Sequence, residues 1–328
     1  MKRKTKKILA ASYEYPNRVK ELIPDPMVQV QTITYQHGPY IRDCIEGILM
    51  QKTTFPFEYL IGEDCSTDGT REIVLEYAQK YPGRIRVITA DENMGMMGNI
   101  RRCRMASRGK YIALCEGDDY WTDPYKLQKQ VDFLENNPDV AITYHDASRV
   151  DNNKNIIEES LLPEDRKRDF SSEELKKGIW IMTNTMCFRN VVDQYPENYF
   201  KVVNGDTFIT SLLGNYGRGA YLTGIKPSCY RISNTGIWSM KTDVERKIRT
   251  LATPLELMKF YNKRNDRAFY EYYKDSARKL ILSLLENKLS KKQKKHIIKK
   301  ICTHLNDLGL RNSFYYIKKT ITTNKCAE

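Results

Sequence analysis

Apolar positions between Met27 and Asp146 recur at two alternating periods. Met27 to Tyr35 (MVQVQTITY) is rich in β-formers. It precedes Tyr40 to Met50, where Ile41, Cys44, Ile45, Ile48 and Leu49 fall at helical spacing. Phe57 to Ile61 reads as a second strand and Asp68 to Tyr81, with Ile73, Val74, Tyr77 and Ala78 on one face, as a second helix. Ile85 to Thr89, Met96 to Ser107 and Tyr111 to Cys115 continue as strand, helix and strand. This order predicts βαβ units and an α/β fold, a mainly parallel sheet flanked by helices. Ligands of such sheets bind beyond the carboxyl ends of the strands. Asp151 to Lys177 is polar and reads as a surface excursion, Ile179 to Phe188 and Ala220 to Ile232 as strands, and Asp206 to Gly214 as a helix between them. From Thr242 onward the pattern is helical. Ser290 and Gln293 form a capping box, Ile297, Ile298, Ile301, Leu305 and Leu308 keep one face, and Gly309 suits a C-terminal cap.

Composition agrees with a globular protein: 41% of the 328 residues are hydrophobic and 11% aromatic. No apolar run approaches the roughly 18 residues of a membrane span. The opening MKRKTKKILAASYEY lacks the apolar core of an export signal. Eight cysteines without a C-x-x-C pair read as free thiols of a reducing cytosol, so a cytoplasmic location is expected. The four histidines are too scattered in sequence to suggest a His-based metal site.

The net charge of +13 is unevenly placed. From Met240 onward there are 22 basic and 9 acidic side chains, which accounts for all of it, and Lys2, Arg3, Lys4, Lys6 and Lys7 form a second basic cluster. Ile8 to Ser239, with 27 basic and 32 acidic residues, is mildly acidic.

Two predicted strands end in carboxylates: EDCSTDGT (Glu63 to Thr70) and EGDDYW (Glu116 to Trp121). Glu116, Asp118 and Asp119 would repel one another in a folded protein unless a cation or hydrogen-bond donors offset the repulsion. Hard oxygen donors suit Mg²⁺ or Mn²⁺, which take remaining ligands from water and substrate phosphates. The other reading is a solvated acidic loop with Asp119 or Asp123 capping a helix before Pro124.

The order of VQTITYQ, GEDCSTDGT, ENMGMMGN, GKYIALCEGDDYW, NGDTF and YRISNTGIWS resembles the inverting family 2 glycosyltransferases of the Rossmann-like GT-A fold, over roughly Met27 to Ser239. The resemblance implies a glycosyltransferase domain over 27–239, preceded by a basic extension (1–26) and followed by a helical basic C-terminal region (240–328). It implies that Thr34 and Tyr35 border the nucleotide base and that Asp64 hydrogen-bonds base or ribose, the alternative for Asp64 being a turn-forming role. Asn93 and Asn99 would line the nucleotide pocket, although Asn93 also suits a helix cap. Glu116 and Asp118 occupy the D-x-D signature, and Asp118, helped by Asp119, would bind Mn²⁺ or Mg²⁺ bridging a diphosphate. Arg231 would contact phosphate or form a salt bridge. Ser233 departs from the pattern, since relatives usually carry a His there. Trp180 and Trp238 would stack on a sugar or pack in the core.

The chemistry implied is transfer of a sugar from a nucleotide-sugar donor, expected to be UDP-linked, to a hydroxyl of a glycan or lipid-linked acceptor in surface glycan synthesis. Asp206, in NGDTF, matches the place of the general base and also suits a helix N-cap. The lysines Lys291, Lys292, Lys294, Lys295, Lys299 and Lys300, with Tyr270, Tyr272, Tyr273, Phe314, Tyr315 and Tyr316, fit either an anionic membrane surface or a helical hairpin with a solvated basic face. A non-catalytic scaffold of the same fold is the competing reading. Nucleic acid is not an expected partner, because the acidic body would repel its phosphates.

Overall fold

The computed structural model describes residues 11–15, 22–232, 241–287, 289–304 and 308. The chain divides into two units, Met1–Tyr195 with Ile209–Ser233, and Pro196–Phe208 with Asn234–Glu328.

The first unit begins with β1 (Ser12–Tyr15), β2 (Val28–Thr34), α1 (Ile41–Leu49), β3 (Phe57–Glu63), α2 (Thr70–Lys80), β4 (Ile85–Ala90), α3 (Met96–Met105) and β5 (Tyr111–Leu114). It continues with α4 (Lys126–Asn136), β6 (Val140–Tyr144), β7 (Ala147–Val150), β8 (Ile156–Glu158), α5 (Ser172–Lys176) and β9 (Cys187–Arg189). After these come α6 (Gly205–Leu213), whose first turn belongs to the second unit, β10 (Arg218–Tyr221) and β11 (Ser228–Arg231). Eight strands form one sheet in the order β1-β4-β3-β2-β5-β9-β6-β10, and β11-β7-β8 form a small second sheet.

The β4-β3-β2-β5 core is parallel, as the alternation predicts. Each of its strands is buried along its length apart from Ile33, because helices cover both faces. From β2 the chain steps outward through β3 to β4 and then returns to place β5 on the other side of β2. That reversal opens a crevice at the carboxyl ends of β2 and β5, the usual ligand position in such sheets. Thr34 is level with Glu63, and Gly117 N–H donates to Ile33 O (3.1 Å), so the loops after β2, β3 and β5 emerge at one edge.

Several expectations need correction. Residues 12–15 pair antiparallel with β4, so part of the expected extension is an edge strand of the sheet. Its Glu14 meets Arg86, which also reaches the fully buried Glu58 on β3 (2.8 Å). The stretch from Ile179 to Phe188 is not one strand. A 3₁₀ turn at Thr183–Thr185 precedes short β9, which runs antiparallel between β5 and β6. Ala220 to Ile232 is split by a turn in which Gly224 takes φ 76°, giving strands in different sheets. The polar excursion contains β8 and α5, the latter started by a Ser171–Glu174 capping box.

In the second unit α7 (Asp243–Thr250), α8 (Ala252–Lys263), α9 (Arg267–Leu285) and α10 (Lys291–Cys302) confirm the helical reading. Both halves of the Ser290–Gln293 capping box form. Tyr199, Phe208, Phe260, Tyr261, Phe269 and Tyr273 make a continuous aromatic core, with Tyr261 and Tyr273 stacked at 5.7 Å. Tyr270 and Tyr273 are therefore core residues and not a membrane-facing band; Tyr272 is exposed. Ile297 and Ile301 are buried, Lys294 is buried too, and Lys291, Lys292, Lys295 and Lys299 face solvent. Leu305, Gly309, Phe314, Tyr315 and Tyr316 lie outside the described residues, as do Lys2 to Lys7. Among the described residues no helix is long and apolar enough to cross a membrane.

One close approach holds the β5 loop in place. A Cβ at Gly47 on α1 would lie 2.9 Å from both the backbone N and O of Trp121, whose ring is buried and whose Nε1–H donates to Asn184 O (2.8 Å). Backbone cannot rotate away as a side chain can. Gly47→Ala is expected to destabilise the protein by about 1–3 kcal/mol, read as a lower urea midpoint.

Candidate active site

The loop after β2 leaves the sheet through Gln36, which has φ 57°, and the loop after β3 through Cys65, with φ 62°. Two non-glycine residues in the left-handed region at level strand ends are held there by cross-loop bonds. Gln36 N–H donates to Ser66 Oγ (3.1 Å) and Thr67 N–H to Gln36 Oε1 (3.0 Å). Gly38 N–H donates to Asp68 Oδ2 (2.9 Å), while Asp68 Oδ1 accepts from Thr70 N–H (3.2 Å); Asp68 stands one residue ahead of Gly69, which holds the cap position of α2.

Behind these loops lies a charged layer that sequence reasoning missed. Glu63, fully buried, would have its carboxyl raised by burial, but N–H and O–H donors from Ser66, Arg71 and Thr89 hold it below the ordinary value. Its neighbour Asp64 has the opposite fate. Burial dominates and raises the carboxyl, although Met94 N–H (2.9 Å) and the Arg102 guanidinium (3.3 Å) reach its Oδ1. Arg102 also donates to Asn99 Oδ1 (2.8 Å), and Asn99 Nδ2 donates to Gly62 O (2.7 Å). Asn99 is thus built into the interior behind Asp64. Asn93 is exposed and its Oδ1 accepts from Gly95 N–H (2.8 Å), closing a turn ahead of α3, whose cap position is held by Gly95 and not by Asn93. Tyr35 presents an exposed ring. Thr34 is buried, with Oγ1 3.2 Å from His37 Nδ1.

The β5 loop brings Glu116, Asp118 and Asp119 alongside this edge. Asp119 N–H donates to Glu116 O (3.0 Å), folding the loop into a tight turn. Asp119 is buried and its Oδ1 accepts the backbone N–H of Arg231 (3.0 Å). Its carboxyl is pushed well above the usual range, first by burial and then by the charges of Asp118 and Glu116. Asp118 keeps 21% of its side chain accessible and faces His37, whose Nε2 is 3.9 Å from Oδ2. One of the four histidines scattered along the sequence thus stands beside the acidic loop. A Cβ at Gly117 would come within 2.6 Å of Thr34 Oγ1 and 2.8 Å of His37 Nδ1, so a glycine is required where this loop meets β2.

Arg231, on β11, organises the far side of the loop. Nε donates to Asp118 O (3.0 Å), Nη1 to the carbonyls of Asp151 (3.2 Å) and Asn152 (3.1 Å), and Nη2 to Asp43 (2.9 Å). The guanidinium also lies over the rings of Tyr40 (4.8 Å) and Tyr120 (5.4 Å). The salt-bridge alternative describes these contacts, and the β7–β8 connection is anchored by the same group. Trp180 is partly exposed and not a core residue; Ser233 and Trp238 lie outside the described residues.

Asp206 belongs to the second unit. It sits within the first turn of α6, where Phe208 N–H already donates to Asn204 O, so the cap position falls before it. Burial raises its carboxyl to about 6, against the opposing hydrogen bond from Thr207 N–H (2.7 Å).

Known proteins resemble the chain in sequence and fold. The model of glycosyl transferase family 2 matches residues 30–195, half of the chain. An uncharacterized protein of Mycobacterium tuberculosis is 37% identical over 177 residues, 53% of this chain and 51% of the relative. A putative teichuronic acid biosynthesis glycosyltransferase of Bacillus subtilis is 37% identical over 109 residues, 33% of this chain and 42% of the relative. The chain spans about half the length, or less, of these curated relatives. Among solved structures, residues 1–349 of S. aureus TarS, in complex with UDP-GlcNAc, superpose with a TM-score of 0.60 at 16% identity, covering 90% of this chain and 88% of that one. A Pyrobaculum calidifontis mannosyltransferase in complex with GDP-Man and Mn²⁺ gives a TM-score of 0.51 at 14% identity, covering 92% and 88%. The fold is thus GT-A, and with its central sheet and acidic loop inside the matched region, the chain belongs to glycosyl transferase family 2.

Proposed function

We propose that the protein is a metal-dependent inverting glycosyltransferase that moves a sugar from a nucleotide-diphosphate donor, UDP-linked, to a hydroxyl acceptor in synthesis of a surface glycan or its lipid-linked precursor. The observation that carries the reading is the Glu116–Asp118–Asp119 loop at the carboxyl edge of β5, beside the sheet's point of reversal. The donor set fits a hard divalent cation, Mn²⁺ or Mg²⁺: three carboxyl groups share one short turn, and Asp119 is raised first by its burial and then by the charges of Asp118 and Glu116. Among the described residues no group of three or more His, Cys, Asp or Glu side chains is placed to hold an ion by itself.

Asp118, the more accessible of the two adjacent aspartates, is assigned as direct ligand, and Asp119 as the buried carboxylate that holds the turn. When bound, the cation stabilises the negative charge that grows on the departing diphosphate. Asp64 is assigned to base or ribose, with the exposed Tyr35 ring and Thr34 bordering the base and Asn93 and Glu116 at its margin. Asn99, through Arg102, supports Asp64 from behind, and Arg231 acts by fixing the acidic loop. Asp206 is assigned as the base that takes the proton of the acceptor hydroxyl. A carboxyl near 6 is ionised at neutral pH yet basic enough for the task.

The four solvent-facing lysines of α10 support attraction to an anionic membrane. Because Ile297 and Ile301 are buried, that attraction would be electrostatic, without insertion of this face.

Asp118→Ala weakens UDP binding in the presence of Mn²⁺ by about tenfold or more, measured by calorimetry, and leaves metal-free binding unchanged. Asp206→Asn lowers kcat by about 10²–10⁴-fold with little change in nucleotide affinity, and full activity of this variant would exclude the base assignment. The wild-type rate rises with pH through an apparent pKa of about 6, and the residual rate of Asp206→Asn lacks that limb. The stability sign is the reverse: a raised carboxyl favours the fold below its unfolded pKa and loses that contribution as pH rises through about 6. Finally, replacing Lys291, Lys292, Lys295 and Lys299 by Glu abolishes sedimentation with phosphatidylserine vesicles, an interaction that added salt also removes.

A further inference from the structure

Resting on the metal-dependent reading above, the geometry points to His37 as a nitrogen ligand of the cation, joining Asp118 from the loop after β2. Nε2 lies 3.9 Å from Asp118 Oδ2. That is too long for a hydrogen bond. It is within the reach of two donors sharing one ion, because ligands about 2.0–2.2 Å from a centre stand no more than about 4.4 Å apart. Both side chains remain partly accessible, at 22% and 21%.

The imidazole is held in position before any ion arrives. His37 N–H donates to Thr70 Oγ1 (2.8 Å), and His37 O accepts N–H bonds from Tyr40 and Ile41 (both 2.9 Å) at the start of α1. Nδ1 lies 3.2 Å from Thr34 Oγ1. In the tautomer whose Nδ1–H donates to that hydroxyl, Nε2 turns its lone pair toward Asp118, the second-shell arrangement typical of metal-bound histidines. Gly117 completes the cradle, since a Cβ there would strike both Thr34 Oγ1 and His37 Nδ1. Thr34 thereby acquires a role in orienting His37 as well as in bordering the base.

The donor class has a consequence. Imidazole nitrogen favours transition metals over the strictly oxygen-seeking Mg²⁺, so His37 biases the site toward Mn²⁺.

The test is electron paramagnetic resonance of the full chain with Mn²⁺ and UDP, repeated with GDP. The wild-type spin echo is expected to show the ¹⁴N modulation of a bound imidazole. His37→Asn retains an amide near the Nδ1 position for Thr34 and removes Nε2. It is expected to lose the modulation and to bind Mn²⁺ about tenfold or more weakly, with a smaller loss for Mg²⁺. A matching melting temperature confirms its fold, and His37→Gln replaces it if it does not fold. Wild-type Mn²⁺ binding without ¹⁴N modulation, or modulation and affinity unchanged in the variant, overturns the assignment while leaving the metal-dependent reading intact. Failure of the wild type to take up Mn²⁺ with either nucleotide overturns both.

Discussion

Three carboxyl groups share one short turn after β5, and the geometry around them follows from the need to hold them there. Arg231 supplies much of the restraint: its backbone N–H meets Asp119, its Nε meets the Asp118 carbonyl, and its Nη2 pairs with Asp43. A buried guanidinium with every nitrogen donating is costly to desolvate, and it persists because carbonyls and a carboxylate satisfy it and two tyrosine rings lie beneath it. The same group fixes the connection between β7 and β8 through Asp151 and Asn152. The acidic turn, the small sheet and the start of α1 are consequently one mechanical unit.

The balance of burial against donors sorts the remaining carboxylates. Glu63 and Asp64 are adjacent and equally hidden from solvent, yet donors from Ser66, Arg71 and Thr89 hold Glu63 low, while burial outweighs Met94, Arg102 and Gly95 at Asp64. Asp119 is raised first by its own burial and then by its acidic neighbours. The same sheet edge thus holds one satisfied carboxyl group and two whose burial is under-compensated. The arrangement combines a stable scaffold with a local deficit of positive charge.

Much of the fold was legible because the relevant periods are local. The four strands of the parallel core and helices α1 to α3 follow directly from apolar spacing, and the capping box of α10 from two residues three apart. What was missed lacked such a signal. Strand β1 is four residues long and half exposed. β9 is three residues long and takes its place between β5 and β6 through partners distant in sequence. Gln29, Gln31 and Glu58 interrupt the strand pattern with polar groups that only tertiary partners, Arg86 and Arg104 among them, make tolerable. Tyr270 and Tyr273 looked like a surface band, but an aromatic residue on an amphipathic helix has no local mark that distinguishes core from interface.

By itself the sequence determined the α/β class, the carboxylates at the strand ends and the family, because these depend on short-range periodicity and on motifs in fixed order. Only tertiary structure decided which polar groups meet. It placed His37 beside Asp118 across 81 positions of sequence, sent Asn99 inward behind Asp64, and engaged Arg231 with carbonyls and Asp43. Those pairings depend on strand order and register, which bring level the ends of segments that no local pattern connects.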